Sequence, residues 1–319
     1  MARNGNGKNG HAKNGHAKNG ATKRTARRTA AILPPSVSKT RPTLIVIGGR
    51  EDKIGDALIL REVVRHVGDG KLVVTTVASS EPEGLFEEYD EVFCKLGVKE
   101  VEHLAITSRA DAKEKKIVSA LDDANAVFFT GGDQLKITSQ IGDTPVFNRI
   151  REIYRGGGVV AGTSAGASVV CGTMLVGGTA RTSPRLGDSV QMAPGLGFIR
   201  DMIIDQHFAE RGRMGRLLGA VAQNPKTLGL GIDENTAVVI DMAESFYVVG
   251  AGAVYAVDGR YISYSNVNES DADKTLAVYD LKLHVLTEGD SFDLATRRPT
   301  SFGAIQHIRT LEAAAEKSA

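Results

Sequence analysis

Cysteine is scarce. Cys94 and Cys171 are the two in a chain of 319 residues, and neither belongs to a C-x-x-C pair. That spacing offers no disulfide framework and no thiolate metal site. Cys171 lies in a run of small and apolar residues, where a free thiol packs as a core side chain. Long apolar runs are missing too. No stretch approaches the ~18 residues of a membrane span, so no membrane partner is expected. The N-terminus lacks the hydrophobic segment of a secretory signal, which makes the cytoplasm the expected location. Acidic residues are absent from positions 1–41, which hold ten Lys and Arg. The formal net charge of +1 therefore hides a division: the remainder sets 29 basic residues against 38 acidic ones.

Residues 1–41 are also low in complexity. Asn-Gly-His-Ala-Lys occurs twice in succession, at 9–13 and 14–18. Such a composition buries no core and reads as a disordered basic tail. Its charge alone admits a polyanion, but nucleic acid is not the expected partner. The chain as a whole has the 42% apolar and 24% charged content of a globular protein. The expected organisation is a tail at 1–41, one α/β domain at 42–310 and a C-terminal tail at 311–319.

From Pro42 the chain alternates strand and helix. Apolar strands are expected at 43–47, 71–77, 126–130 and 159–161 and a more polar one at 98–104, with helices at 54–67, 84–96, 109–121 and, in two pieces, 134–155. Strands apolar on both faces indicate a mainly parallel sheet covered by helices. In such sheets function gathers at the carboxyl ends of the strands. Residues 177–197 read as loop or short hairpin. Further strands are expected at 196–204, 228–232, 237–240, 246–249, 254–257 and 276–286, and a helix at 210–223.

At the fifth strand's carboxyl end stands Gly162-Thr163-Ser164-Ala165-Gly166, a G-x-S-x-G pattern between an apolar run and the small-residue run Ala165 to Cys171. That is strand, sharp turn, helix, the context in which a serine hydroxyl is pushed clear of a sheet. The Ala165 amide opens the helix where an oxyanion would form. A serine needs a base, and the base an orienting acceptor. Seven histidines are available. His11 and His16 lie in the tail, His66 in a helix body, His284 in an alternating strand and His307 near the C-terminus. His207 follows an apolar strand beside Asp205 and Gln206 and is favoured, with His103 second. For the acid, Glu234 follows the strand at 228–232, and its neighbour Asp233 is equally placed by spacing.

Ile47-Gly48-Gly49 with Glu51-Asp52, Phe129-Thr130-Gly131-Gly132-Asp133-Gln134, the elbow, Asp205-Gln206-His207-Phe208 and Gly231-Ile232-Asp233-Glu234 together resemble the cyanophycinases. These are serine exopeptidases of the peptidase family that includes dipeptidase E, and the resemblance spans about 42–310. It implies a flavodoxin-like sheet of the class I glutamine amidotransferase type. It implies Ser164 as nucleophile, His207 as base, Glu234 as orienting carboxylate and Gly132 as a second oxyanion donor beside Ala165. Gln134, Asp205, Gln206, Arg211, Arg213 and Arg216 match the family's polar pocket, where Asp205 would face a substrate guanidinium. The implied substrate is cyanophycin, a polyaspartate whose β-carboxyls carry arginine, cut to β-Asp-Arg dipeptides by a homodimer without metal or organic cofactor. Arg50 stands where relatives often have a small residue. The alternatives are an α-aspartyl dipeptidase E-like small-peptide hydrolase and an inactive, binding member of the family.

Overall fold

The computed structural model describes residues 41–178, 185–186, 190–241, 244–271 and 273–301. The tail expected at 1–41, Arg41 apart, and the one at 311–319 lie outside the described residues, as do His11, His16 and His307.

Five segments form the parallel half of a nine-stranded sheet: β1 (Thr43–Ile47), β2 (Lys71–Thr75), β3 (Val101–Leu104), β4 (Ala124–Phe129) and β5 (Val159–Thr163). Their spatial order is β1-β5-β4-β2-β3. Strands β1, β2 and β5 are buried at every residue, which explains the apolar runs at their centres. β3 is the edge strand, and its Glu102 and His103 are only half-buried.

The connecting helices are α1 (Leu58–Val67), α2 (Pro82–Lys95), α3 (Lys115–Ser119), α4 (Gln134–Ile141), α5 (Pro145–Arg155) and the single turn α6 (Ala165–Ser168). α1 starts later than expected because the Asp52 carboxylate accepts the amides of Ile54, Gly55 and Ala57, fixing a turn there. α4 and α5 are separate because Thr144 caps α5 by accepting from the Phe147 amide and Pro145 opens it. The helix expected at 109–121 shrinks to a 3-10 turn at Asp111–Lys113 and α3, since Asp111 captures the Thr107 and Ser108 amides.

Beyond the elbow, β6 (Thr173–Gly177) and β7 (Gln191–Pro194) pair antiparallel, with β6 starting before the stretch expected as loop or short hairpin. Then come β8 (Met202–Gln206), α7 (Met214–Gln223), β9 (Leu228–Ile232), β10 (Thr236–Asp241), β11 (Ser245–Gly250), β12 (Val254–Asp258), β13 (Tyr264–Ser265), β14 (Val278–Tyr279), β15 (Lys282–Leu286), β16 (Asp290–Asp293) and β17 (Arg298–Ser301). β10, β11, β16 and β17 extend the large sheet antiparallel from β1, with Ile47 opposite Ala237. β15, β12, β9 and β8 form a second sheet in that order, with β8 parallel to β9. The architecture is mixed α/β with a β-rich C-terminal part. The mainly parallel sheet and the additional β-rich C-terminal part expected from the sequence are both present; the apolar pattern does not say which of the later strands form a second sheet.

Alternation along β1 divides the core. Ile45 and Ile47 pack with α1 and α2, through residues such as Leu60, Val63 and Phe93. Leu44 and Val46 face the other way, in the cluster that holds Ile150 of α5 and Ile204, Leu230 and Ile232 of the second sheet. Each such fully buried side chain contributes about 1.5–3 kcal/mol. The second sheet is thus fastened to the first by one continuous core. Among the described residues no helix is long and apolar enough to cross a membrane.

Candidate active site

Ser164 stands between β5 and α6 with φ 53° and ψ −110°. A non-glycine residue there carries backbone strain, held only by surrounding bonds. Its amide donates to the Ile47 carbonyl at 3.0 Å, and its own carbonyl accepts the Ala167 and Ser168 amides. The flanking glycines permit the turn. A Cβ on Gly162 would stand 2.3 Å from the Gly166 carbonyl oxygen, and one on Gly166 would stand 2.2 Å from that of Phe129. The spacing is therefore a packing requirement as much as a motif. A Cβ built on Gly131 would lie 3.4 Å from the Ser164 Cβ, which brings the Gly131-Gly132 turn alongside the serine. Neither the Ala165 nor the Gly132 amide donates to another group among the described residues.

His207 follows β8 at φ 47°, and its amide donates to the Gly48 carbonyl at 2.8 Å. Its imidazole is 5% exposed and lies against Gly49, where a Cβ would stand 2.3 Å from a ring carbon. Ser164 Oγ is 2.9 Å from His207 Nε2, and His207 Nδ1 is 2.7 Å from Glu234 Oε1. The second bond fixes the proton on Nδ1 and leaves Nε2 to accept from the serine. Burial above all, with Arg211 and Arg213 nearby, holds the His207 pKa below its ordinary value despite the opposing pull of Glu234. The ring is therefore neutral, and basic, at neutral pH.

The two carboxylates that spacing left equivalent are separated by geometry. Glu234 reaches the imidazole, while Asp233 accepts the Ala209 amide at 2.9 Å and the Ala253 amide at 3.0 Å. Asp233 thereby ties the segment after His207 to the loop before β12. The second-choice base, His103, does not join the site. It bonds Thr76 Oγ1 at 2.8 Å and stacks on Phe86 with centroids 4.3 Å apart. His66 bonds Glu62, and His284 meets the Phe292 ring edge-on.

The expected pocket residues fall into three arrangements. Gln134 donates to the Leu175 carbonyl at 3.1 Å, linking α4 to the hairpin. Arg211 is exposed. Asp205, Gln206, Arg213 and Arg216 form one buried network. Arg213 Nη1 donates to Asp205 Oδ1 at 3.2 Å and to Gln206 Oε1 at 2.9 Å, and Arg216 Nε donates to Asp205 Oδ2 at 2.9 Å. Asp205 thus differs from its expected placement. Its carboxylate is 1% exposed and already holds two of the protein's own guanidinium groups, so it does not stand open to a substrate cation. Burial first, then its arginine neighbours, push Arg213 down to about 10, and it stays charged at neutral pH.

Three further residues shape the site. Glu51 is buried and accepts from Tyr89 Oη and, at 2.6 Å, from Thr163 Oγ1, anchoring the residue before the serine. Its position in the first loop carries no sequence signal that it is buried. Glu210 accepts the Glu234 amide at 3.2 Å. Arg50 Nε approaches Glu234 Oε1 at 3.4 Å from solvent. Neither contact is readable from spacing, because each spans a reversal between elements.

The model of Peptidase family S51 matches residues 53–247. The chain belongs to peptidase family S51. It is accordingly a hydrolase acting on peptide bonds. This S51 peptidase is 38% identical over 262 residues to the cyanophycinase of Geminocystis herdmanii (strain PCC 6308), covering 81% of this chain and 96% of the relative. It is 40% identical over 261 residues to the cyanophycinase of Nostoc sp. (strain PCC 7120 / SAG 25.82 / UTEX 2576), covering 81% and 87% respectively. Among solved structures, a peptidase from an acI-B1 Actinobacterium matches with a TM-score of 0.57 at 22% identity, over 80% of this chain and 98% of that one. At that identity the likeness shows a shared fold.

Proposed function

We propose that this S51 peptidase is a cyanophycinase, a serine-type exopeptidase that releases β-Asp-Arg dipeptides from cyanophycin through an acyl-enzyme. The observation that carries the chemistry is the unbroken relay from Ser164 Oγ to His207 Nε2 at 2.9 Å and from His207 Nδ1 to Glu234 Oε1 at 2.7 Å. Ser164 attacks the scissile carbonyl as His207 takes its proton. Glu234 holds the ring in the tautomer this needs and stabilises the imidazolium that forms. The Ala165 and Gly132 amides take the oxyanion, for which removing one such donor costs about 10²–10³ in turnover. His207 then protonates the leaving amine. Water, activated by the same ring, hydrolyses the acyl-enzyme.

The substrate part of the reading rests on relatives named cyanophycinase at 38% and 40% identity. The local chemistry agrees with it. Gln134, Gln206, Arg211, Arg213 and Arg216 take the polar groups of the β-aspartyl-arginine unit, guanidinium forks matching its carboxylates. Asp205 contributes by fixing Arg213 and Arg216 rather than by touching the substrate. The enzyme acts as a cytoplasmic homodimer in this reading.

Incubation with purified cyanophycin and mass analysis of the soluble fraction tests it. β-Asp-Arg is the expected product, and the Ser164→Ala protein should yield none while folding normally. Release of free arginine, or hydrolysis of Asp-X dipeptides with nothing released from cyanophycin, defeats the proposal.

A further inference from the structure

A cavity of about 510 Å³ opens where the loop after β3, the α4–α5 turn, α5 and the segment leading to β8 converge. Neither Ser164, His207 nor Glu234 lines it. Arg109, Arg151 and Arg200 do, and Asp143 is the one acidic residue among the described residues of its lining. Charge makes this unexpected. Outside the first 41 residues acidic residues outnumber basic ones, so an arginine is readily matched. Arg65 sits on Glu62, Arg149 on Asp122 and Glu152, and Arg297 on Asp258. Among the described residues, none of the three cavity arginines has such a carboxylate partner.

Two of them are held in place. Arg109 Nη1 donates to the Ser139 and Gly142 carbonyls at 2.9 and 2.7 Å, which leaves the rest of its guanidinium fork available. Arg151 lies over the Phe147 ring, 5.5 Å from its centroid, one helical turn along α5. Uncompensated guanidinium groups that are already oriented lose little side-chain freedom when an oxyanion arrives. The volume falls in the ~300–1,000 Å³ range of small-ligand sites.

We infer that this cavity is an accessory, non-catalytic site for the side arms of the polymeric substrate. The inference rests on the proposed cyanophycin activity. Each arm of that polymer is an arginine joined through its α-amine, so it presents a free α-carboxylate and a guanidinium. The carboxylate matches the arginine forks, and Asp143 matches the guanidinium. An enzyme that trims chain ends gains from gripping a neighbouring stretch of the same particle, because a second contact raises the local concentration of the ends.

The test uses the full chain with Ser164→Ala, so that bound polymer is not consumed. Co-sedimentation with purified cyanophycin gives an apparent Kd, measured with and without Arg151→Ala and Arg200→Ala together. The expected result is about a tenfold or greater weakening, equivalent to ~1.4 kcal/mol. With Ser164 intact, the same pair of substitutions should leave kcat/KM on a soluble β-Asp-Arg trimer within about twofold, the scale of changes that touch no transition-state contact. Equal sedimentation overturns the accessory site, and so does a parallel loss on trimer and polymer. Should the double variant fail to fold, Arg200→Glu at an exposed position is measured the same way. If the unmodified enzyme releases nothing soluble from cyanophycin, the underlying activity fails instead, and that outcome is seen before any cavity variant is made.

Discussion

Glu234 accepts from His207 Nδ1 at 2.7 Å, whereas Asp233, one residue earlier, spends its carboxylate on the Ala209 and Ala253 amides. Substitutions at the two positions should therefore fail differently. Glu234→Gln keeps the shape and loses the tautomer control, so kcat should fall about 10³–10⁴-fold with an unchanged melting temperature. Asp233→Asn can accept only one of its two amides well and should cost about 1–3 kcal/mol of stability with a far smaller loss of turnover. Kinetics and thermal melts on both proteins check this, and the opposite pattern would transfer the orienting role to Asp233. A pH profile probes the ring itself. Burial holds the His207 pKa below its ordinary value, so the acid limb of kcat/KM should lie below that of a free histidine. Activity disappears as pH falls through that lowered pKa and the ring charges. Arg211 pushes the same pKa down, so Arg211→Gln should move the limb upward. A limb that stays put or moves down removes Arg211 from the field at the imidazole.

The elbow shows what was legible in the sequence at the scale of elements. Strands β1, β2, β4 and β5 could be read because burial on both faces leaves their central residues apolar. The serine could be read because its turn demands glycine on either side. Gly166→Ala tests that demand: the new Cβ meets the Phe129 carbonyl oxygen at 2.2 Å, a backbone atom that cannot swing away. Loss of soluble protein or a cost of at least ~3 kcal/mol is expected, at the upper end of overpacking effects. Gly172→Ala is the control, since its nearest neighbour stands 3.8 Å off. Similar melts for the two would show that the elbow relaxes. Other elements were not legible. The helix after Ser164 stops at Ser168 because the next residues pair across the chain, the Val169 carbonyl with the Leu196 amide and the Val170 carbonyl with the Ile199 amide. Nothing local announces such pairing. Apolar pattern marked β8 and β9 as strands, and their ends as carriers of His207 and Glu234, but pattern does not say which sheet a strand joins. Strand β16, bounded by Asp290 and Asp293, and strand β17, with Pro299 inside it, had no pattern to read. Glu51 is a buried charge whose partners Tyr89 and Thr163 come from distant elements, so composition gives it away only as a polar loop residue.

At the scale of the whole molecule, the relay is assembled across two sheets. Ser164 belongs to the nine-stranded sheet, while His207 and Glu234 stand at the ends of β8 and β9 in the four-stranded one. The loop after β1 joins them: the Ile47 carbonyl takes the Ser164 amide, the Gly48 carbonyl the His207 amide and the Gly49 carbonyl the Asn235 amide. Any change that loosens the second sheet against the first should therefore cost turnover before it unfolds the chain. The strongest lever is Asp205, buried at the end of β8 and holding Arg213 and Arg216. Asp205→Ala leaves two guanidinium groups buried without their carboxylate, which costs about 3–5 kcal/mol. At roughly 2–4 °C per kcal/mol for a domain of this size, the melting temperature should drop by roughly 6–20 °C. Combining Asp205→Leu with Arg213→Met and Arg216→Met removes all three charges together. That protein should regain most of the lost stability, because matched apolar packing replaces an ion network at little or no cost, yet, under the proposed function, it should stay inactive on cyanophycin for want of both arginines. If the triple variant melts as low as Asp205→Ala, the network is not what clamps the second sheet in place. If it regains activity along with stability, the arginines serve the fold alone and the pocket must be sought elsewhere along β8.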